Sequence, residues 1–530
     1  MTNLKGYMEY IKRLWTAYPL RVILIGAFLV RLIAAIYSQG YGMHDDHFLV
    51  LEASQSWVDG TDYNDWLPKS QVDPTPSGHS FLYVGIHYIV LSAFKFIGID
   101  DPKLKIFLIR LLHALLSLVV VAVGYKLAER FANKKVAIQV GVALAFLWFM
   151  PLLSIRNFVE VACIPFLILG VWYAYTAVED NSSWKRYLVA GLIIGLAFSI
   201  RFQTAVFIGG LGLAILFRKK FWEAIVFGIG VVLSIILIQG VVDMFIWGCP
   251  FAELGEYVRY NLAHKYDYGT NNPIMYVSII IGVMLPPLGW LWIASFFRSW
   301  KKTLFVVLPS LLFLIFHTYF PNKQERFIFP VLPFFVIAGV VGWAQMSELK
   351  FWKNRPRLVK GFTVAFWVFN ILLIIPASLS SSKLSRIDSM YYLYGKDVKN
   401  GILVEDTFHH NVNLLPNFYA GSWFVQYELP MVDSTTKSDS LNPKIIKGST
   451  RYRTIIKSIH YFDSVSVDKL PEYVFICENK DLESRKNAIE SVFPTLTLEA
   501  VIEPSMLDIL MYRQSRSNRN QTIYIYKVGK

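Results

Sequence analysis

The 530-residue chain is too apolar for a water-soluble protein of several domains. Hydrophobic residues make up 55% of it, charged residues only 17%, and the mean hydropathy is +0.43. Polar side chains cannot cover so much apolar surface, so the composition excludes an ordinary soluble enzyme and indicates a protein of the bilayer. The net charge of +14 does not require nucleic acid as a partner, because the basic residues cluster in short loops between apolar segments.

Apolar segments that are long enough to span a membrane recur from residue 20 to residue 379. Residues 20–38 are expected to form an uncleaved first helix, because no small-residue cleavage site precedes Ser38. Residues 187–217 are too long for one helix, and the polar residues 201–204 predict a break into two short spans. The predicted crossings number eleven and lie at 20–38, 105–127, 136–153, 158–178, 187–217 (two), 223–246, 274–297, 303–320, 327–346 and 360–379.

The basic residues between these segments predict the orientation of the chain. Lysine and arginine cluster at 5–21, 126–135, 185–186, 218–220, 298–302 and 350–360. Since such clusters stay on the cytoplasmic side, the N-terminus is expected inside and the C-terminus outside. This orientation requires that the apolar stretch 80–98 does not cross but lies in the interface or re-enters, within a first outer loop of residues 39–104.

The character of the chain changes near residue 384. Up to residue 383 it reads as a polytopic α-helical membrane domain. Beyond this point it is more polar, and it contains four patterns typical of strands, with a helical pattern at 481–492 between two of them. The strand patterns lie at 401–404, 473–477, 496–501 and 522–528. The sequence therefore predicts a small C-terminal α/β soluble domain, residues 384–530, outside the membrane.

A short polar motif, His44-Asp45-Asp46-His47, follows the first predicted span. Ionisable side chains at the edge of a membrane helix are costly unless they serve a function. A carboxylate there suits a base that accepts the proton of an acceptor hydroxyl, and we predict Asp45 for this role, with Asp46 as the second candidate. Two alternatives remain open, a metal site of His44, His47 and Asp45, and a polar helix start without function; we expect no required metal.

Several cations are predicted at the outer ends of the spans, on the same side as this motif. A single arginine at a helix end is usually a membrane anchor, but a convergent set indicates binding of an anion such as a departing phosphate. Lys323, Glu325 and Arg326 lie directly before a helix start that is rich in Phe and Pro, where a helical turn would bring Lys323 and Arg326 together. The alternative for this segment is a surface ion pair between Glu325 and Arg326. The set of cations is Arg31, Arg110, Arg156, Arg201, Lys323 and Arg326.

At two of these stretches the chain resembles the family 22 α-mannosyltransferases, which belong to the GT-C class of membrane glycosyltransferases. The family motif His-Pro-Asp-Glu-His-Phe is similar to residues 43–48, and the motif His-Lys-Glu-Glu-Arg-Phe is similar to residues 322–327. The family's loop after its seventh span is similar to Asp243, residues 247–248, residues 251–261 and residues 268–269 of this chain. The likeness covers about residues 20–380, and the motifs at its two ends are specific.

The resemblance implies a GT-C-like fold and a polyprenyl-phosphate-linked sugar as donor, with mannose the expected sugar. The acceptor would be a glycan or glycolipid, the reaction would invert the anomeric centre, and no cofactor would be required. Asp45 would be the base. The residues expected to bind substrate are His44, His47, Arg110, Arg201, Arg259, Asn261, Tyr268, Lys323, Glu325 and Arg326. The short loops favour a bacterial inner membrane with a periplasmic site; in a eukaryote the site would face the lumen of the endoplasmic reticulum.

Two other functions remain open. A transporter or flippase of lipid-linked sugars would carry inverted repeats and charged residues near mid-membrane, and the sequence displays neither pattern. A catalytically inactive assembly partner is also compatible with the chain, because both motifs depart from those of the family.

Overall fold

The computed structural model describes residues 9, 12–71, 73–267, 270–406, 414–430, 451–514 and 519–529. Contacts divide the chain into two compact units. The first consists of Met1–Ser38, Thr75–Tyr83 and Ile109–Leu379, and the second of Gln39–Pro74, Val84–Leu108 and Ser380–Lys530. Most of the first loop is therefore grouped with the C-terminal segment. The predicted domain boundary between residues 383 and 384 stays a prediction.

The first unit is helical. Among the described residues of the chain, six helices are long and apolar enough to cross a bilayer, and three more apolar helices are shorter. A polytopic α-helical membrane protein is thereby confirmed, whereas the count of eleven crossings stays a prediction. The six are Pro19–Tyr37, Pro102–Phe131, Val159–Glu179, Phe221–Trp247, Glu325–Met346 and Pro356–Leu379; the shorter three are Phe81–Phe96, Phe202–Phe217 and Leu304–Tyr319.

Two predicted spans are each divided into two helices. Residues 136–153 form Lys134–Phe146 and Met150–Ile155, because the backbone becomes extended at Leu147. Residues 274–297 form Met275–Val283 and Leu288–Ser295 around Pro286 and Pro287, which have no backbone N–H to donate to a helix. The remaining helices of this unit are Trp184–Ile200, Ala252–Ala263 and Lys350–Lys353.

The predicted break at residues 201–204 is confirmed. The helix Trp184–Ile200 ends where Arg201 adopts an extended conformation, and a 3₁₀ turn, Phe202–Thr204, leads into the next helix. The helix before the break packs closely on Phe221–Ile235 through glycines. A Cβ atom on Gly191 would come within 2.1 Å of the carbonyl oxygen of Phe227. Small residues at such crossings let two backbones approach each other, which is typical of helices in membranes.

The second unit contains a six-stranded sheet with the order β3-β2-β1-β4-β6-β5. Strands β3, β2, β1 and β4 are parallel to one another, whereas β6 pairs antiparallel with both β4 and β5. Four of the strands lie where the sequence predicts them. The strands are β1 Ile402–Asp406, β2 Gln426–Pro430, β3 Arg453–Ile455, β4 Tyr473–Cys477, β5 Leu496–Ile502 and β6 Ile523–Val528.

The remaining elements of this unit are short. The predicted helix at 481–492 is present as Leu482–Glu490. Arg485 of this helix is held by Glu405 of β1, with 2.9 Å between Nε and the carboxylate, and by the carbonyl oxygen of Cys477 at 2.7 Å. The other helices and turns are His44–Asp46, His47–Glu52, Ala53–Val58, Pro68–Ser70, Leu384–Tyr391, Asn417–Ala420, Ile459–Phe462, Val467–Lys469 and Met506–Gln514.

Candidate active site

The two adjacent carboxylates of the first loop differ in accessibility. They lie on a single helical turn, His44–Asp46, which continues into a π-helical segment, His47–Glu52. Asp45 is exposed, whereas Asp46 is buried with 5% of its surface accessible. π-Helical turns widen a helix locally and often occur at functional sites. Of the two carboxylates, Asp45 is the one that an acceptor hydroxyl can approach from solvent.

The two histidines of the motif lie in different surroundings. His44 is exposed and its ring contacts that of Phe48, with 4.3 Å between the centroids. His47 is buried and stacks between Tyr41 and Tyr419, at centroid distances of 4.6 and 5.7 Å. Over the part of the chain that the structure describes, no three His, Cys, Asp or Glu side chains are grouped so that they could hold a metal ion.

Glu52 contacts this motif from within the protein, and it was not identified from the sequence as a site residue. Its side chain is fully buried, with one oxygen 3.5 Å from His47 Nε2. The same oxygen, Oε1, accepts a hydrogen bond from the backbone N–H of Phe418 at 2.9 Å. Burial raises the pKa of Glu52 to about 8. The carboxyl group is therefore largely protonated at neutral pH.

A second constellation lies in the helical unit, where one carboxylate contacts two guanidinium groups. Oε1 of Glu160 is 2.5 Å from Nη1 of Arg201 and 3.5 Å from Nε of Arg326. Glu160 has no accessible surface, and the two arginines are 8% and 7% exposed. The ring of Phe327 lies beside them, with its centroid 5.1 Å from Cζ of Arg201. The break at residues 201–204 positions this contact, because the helix ends at Ile200 and the next residue, Arg201, forms the ion pair with Glu160.

This cluster has unused hydrogen-bonding capacity. Within the described residues, Nε and Nη2 of Arg201 and Oε2 of Glu160 are buried and have no hydrogen-bond partner. Two guanidinium groups against one carboxylate leave an excess of one positive charge. A buried cation with free donor groups is costly unless an anion completes it, so the cluster is suited to bind an anion such as phosphate.

Lys323 does not share a helical turn with Arg326, which corrects the prediction from their spacing. The 3₁₀ segment begins only at Glu325, and Nζ of Lys323 donates to the carbonyl oxygen of Phe320 at 2.7 Å. Glu325 is exposed whereas Arg326 is buried. The carboxylate beside Arg326 is that of the buried Glu160. Nε of Arg326 also donates a hydrogen bond to Oε1 of Gln324 at 2.8 Å. Arg326 therefore does not form the simple surface pair that was the alternative.

The other predicted binding residues have structural partners or are outside the described residues. Arg259 is exposed and pairs with Glu256 of its own helix at 2.6 and 2.7 Å. Asn261 donates to the carbonyl oxygen of Tyr257 at 2.8 Å. Arg110 is buried in the helix Pro102–Phe131. Tyr268 lies outside the described residues, and its role and those of the other three stay predictions.

Arg31 has a structural role that its sequence position did not indicate. It is fully buried and donates to Ser117 Oγ at 2.8 Å and to the carbonyl oxygens of Leu144 and Ala145 at 3.2 and 3.0 Å. These carbonyls belong to the last turn of the helix Lys134–Phe146, where backbone oxygens have no partner within the helix. Arg31 thus closes this helix end and is not available for a phosphate.

Sequence reasoning missed Glu160, although one signal could have found it. It is the only carboxylate within the predicted span 158–178. A lone ionisable residue in an apolar segment is a candidate functional residue, and its partner is expected among the nearest cations.

The chain is similar in sequence to known mannosyltransferases. The model of the Alg9-like mannosyltransferase family matches residues 22–401, which is well over half of the chain. GPI alpha-1,2-mannosyltransferase 3 of Homo sapiens is 24% identical over 344 residues, covering 63% of this chain and 58% of that protein. Mannosyltransferase APTG1 of Arabidopsis thaliana is 26% identical over 338 residues, covering 62% and 59%. The chain thus spans less than two thirds of the length of these relatives.

The fold also matches a solved structure along nearly its whole length. ArnT from Cupriavidus metallidurans, in its crystal structure bound to undecaprenyl phosphate, superposes with a TM-score of 0.61 at 12% sequence identity. The match covers 97% of each chain. The likeness establishes a shared fold, and it confirms the predicted GT-C-like architecture.

Proposed function

Because the chain belongs to the Alg9-like mannosyltransferase family, we propose that it transfers a sugar from a polyprenyl-phosphate donor to a glycan or glycolipid acceptor. Mannose is the sugar that the family favours. A lipid phosphate of this class is bound in the ArnT structure with the same fold, which supports the proposed donor. The bilayer is the second partner, and the reaction takes place on the periplasmic or lumenal face.

The observation that carries this proposal is the buried cluster of Arg201, Arg326 and Glu160. The unpaired Nε and Nη2 groups of Arg201 and the net positive charge of the three side chains suit the phosphate of the donor. When the bond between the anomeric carbon and the phosphate oxygen breaks, the electron pair stays on the phosphate, which gains negative charge. Preorganised guanidinium groups stabilise that charge more in the transition state than in the ground state, and they therefore accelerate the reaction.

Asp45 serves the acceptor. Its exposed carboxylate takes the proton of the acceptor hydroxyl while the hydroxyl oxygen attacks the anomeric carbon from the face opposite the phosphate. This single displacement inverts the anomeric centre. The buried Asp46 is less suited to reach a hydroxyl from solvent, although it remains the second candidate.

The experiment is to incubate the purified full chain in lipid nanodiscs with a panel of polyprenyl-phosphate sugars and to measure released lipid phosphate. Release from polyprenyl-phosphate mannose that depends on added acceptor would support the proposal, and Arg201→Gln should abolish it. Absence of release with every donor, or transbilayer movement of the lipid-linked sugar without release when the chain is placed in proteoliposomes, would overturn it. These two results would favour an inactive assembly partner and a transporter, respectively.

A further inference from the structure

Glu160 joins three elements that are distant in the sequence. Glu160 lies in Val159–Ala162, the first turn of the apolar helix Val159–Glu179, and Arg201 directly follows the helix Trp184–Ile200. Arg326 lies in the 3₁₀ segment Glu325–Val331, which begins the apolar helix Glu325–Met346. A single oxygen of Glu160 contacts both guanidinium groups, at 2.5 and 3.5 Å. Two like charges held this close in a buried site repel each other, and the shared carboxylate offsets that repulsion. The position of both arginines therefore depends on Glu160.

The same carboxylate also acts on any anion that the arginines bind. A lipid phosphate monoester released by transfer carries between one and two negative charges at neutral pH. At the cluster this anion meets two positive charges and the negative charge of Glu160. Because all three side chains are buried, water screens the repulsion between the phosphate and Glu160 only weakly. Arg201 and Arg326 without Glu160 would hold the phosphate more tightly.

We propose that Glu160 is a positioning residue that holds Arg201 and Arg326 in place and, by its charge, speeds release of the lipid phosphate after transfer. The inference rests on the proposed function, since it assumes that the cluster binds the donor phosphate. Glu160 does not touch the reacting atoms. Its negative charge weakens the product complex, whereas its contacts with the guanidinium groups keep them oriented for the transition state.

Binding of farnesyl phosphate to the full chain in nanodiscs tests the inference without any sugar transfer. The dissociation constant is measured for the wild type, Glu160→Gln, Arg201→Gln and Arg326→Gln, after thermal unfolding has verified that each variant is folded. Glu179→Gln is the matched control, because Glu179 also pairs with an arginine, Arg218, but at an exposed site. We expect Glu160→Gln to bind farnesyl phosphate at least tenfold more tightly than the wild type does. Both arginine variants should bind it at least tenfold more weakly, and the control should bind it as the wild type does.

Steady-state transfer by the same variants separates release from a merely structural role. Slow release lowers kcat and the donor KM together, so Glu160→Gln should reduce both, whereas loss of arginine positioning alone lowers kcat without lowering KM. If Glu160→Gln does not fold, Glu160→Asp takes its place. This variant keeps the charge but moves it back by one methylene group, and it should lower kcat without tighter binding of farnesyl phosphate.

The outcomes distinguish this inference from the proposed function. A wild type that does not bind farnesyl phosphate would overturn both. Binding that is weakened by the arginine substitutions but is unchanged or weaker in folded Glu160→Gln would overturn the role of Glu160 alone. Tighter binding of farnesyl phosphate by Glu160→Asp, or an unchanged kcat in this variant, would also overturn the proposed role of Glu160.

Discussion

The backbone N–H of Phe418 donates a hydrogen bond to the carboxyl group of Glu52 at 2.9 Å, although the two residues are separated by 366 positions in the sequence. Tyr419, the next residue, stacks on His47 of the first loop. The C-terminal segment thus supports the short motif that carries Asp45. The predicted catalytic base is therefore held by two parts of the chain that the sequence assigned to different domains.

The first prediction concerns the pH dependence of stability. Burial raises the pKa of Glu52 from 4.5 to about 8, so folding favours its protonated form. The stability that this contributes is fully present below the pKa of the unfolded chain and is lost as pH rises through the folded pKa. We expect the Tm of the wild type to fall between about pH 4.5 and about pH 8, and that of Glu52→Gln to fall less, because an amide does not ionise.

Thermal unfolding in detergent across this pH range measures the effect. Glu256→Gln is the control, since Glu256 lies on a helix surface and pairs with the exposed Arg259. It should follow the wild-type curve. Equal slopes for the wild type and Glu52→Gln would show that ionisation of Glu52 does not limit the stability of the fold.

The second prediction concerns the base. Asp45→Asn keeps the size of an exposed side chain but cannot accept the acceptor's proton, so we expect transfer to fall about 10²–10⁴-fold with an unchanged Tm. Asp46→Asn alters a buried side chain and should lower the Tm more than it lowers turnover. Turnover with saturating donor is the measurement. Wild-type turnover in Asp45→Asn would transfer the role of base to Asp46.

Hydropathy predicted where the apolar helices lie, although two of the predicted spans each form two helices. Apolar runs place the spans, and the polar residues 201–204 predict the break that ends one helix at Ile200. Strands β2 and β3 were missed, because β2 ends in a proline and β3 has only three residues. Such short segments become strands through pairing with β1 and β2, respectively, which is a tertiary effect.

The candidate site was less predictable, because its contacts join distant parts of the chain. Arg201 and Arg326 were identified from their positions at helix ends, but their common partner Glu160 was not. The carboxylate is 41 residues from Arg201, and only the folded helices bring the two together. The spacing between Lys323 and Arg326 was misleading for a local reason, since the backbone between them is not helical before Glu325.

The third prediction concerns the guanidinium groups. Arg326→Lys and Arg201→Lys keep the positive charge but lose the planar set of donors that a phosphate uses. Hydrogen bonds to charged groups contribute about 1.5–3 kcal/mol, so kcat/KM for the donor should fall by about 10–100-fold in each variant. Glu179→Gln, which alters an exposed carboxylate of the same unit outside the predicted site, is the control and should behave as wild type. Equal losses in Glu179→Gln and the two lysine variants would indicate a general disturbance of the helical unit.

The fourth prediction concerns orientation in the membrane. Reporter fusions after Arg130 should score as cytoplasmic and fusions after Asp388 as extracytoplasmic, because basic loops stay inside. Between these residues the chain must cross the bilayer an odd number of times. Identical scores for the two fusions would contradict the odd number of crossings, and reversed scores would contradict the orientation with the N-terminus inside.

The last prediction concerns Glu253, which fastens a segment of the first loop within the helical unit. This buried carboxylate accepts hydrogen bonds from the backbone N–H groups of Gly78 and His79, at 2.6 and 3.1 Å, and from Ser77 Oγ at 3.0 Å. Its other oxygen accepts from Nε1 of Trp247 at 2.9 Å. All four partners donate, so an acceptor with two free oxygens is required at this position.

Glu253→Gln places an amide NH₂ group against at least one of these donors, which leaves buried polar groups unpaired. Each unpaired group costs about 1–3 kcal/mol, so the variant should unfold at a clearly lower temperature than the wild type. It should also be cleaved faster by protease at residues 75–80, because this segment loses its anchor. Glu256→Gln on the same helix controls for the chemical change alone. Equal Tm values and equal cleavage rates in the two variants would refute the anchoring role of Glu253.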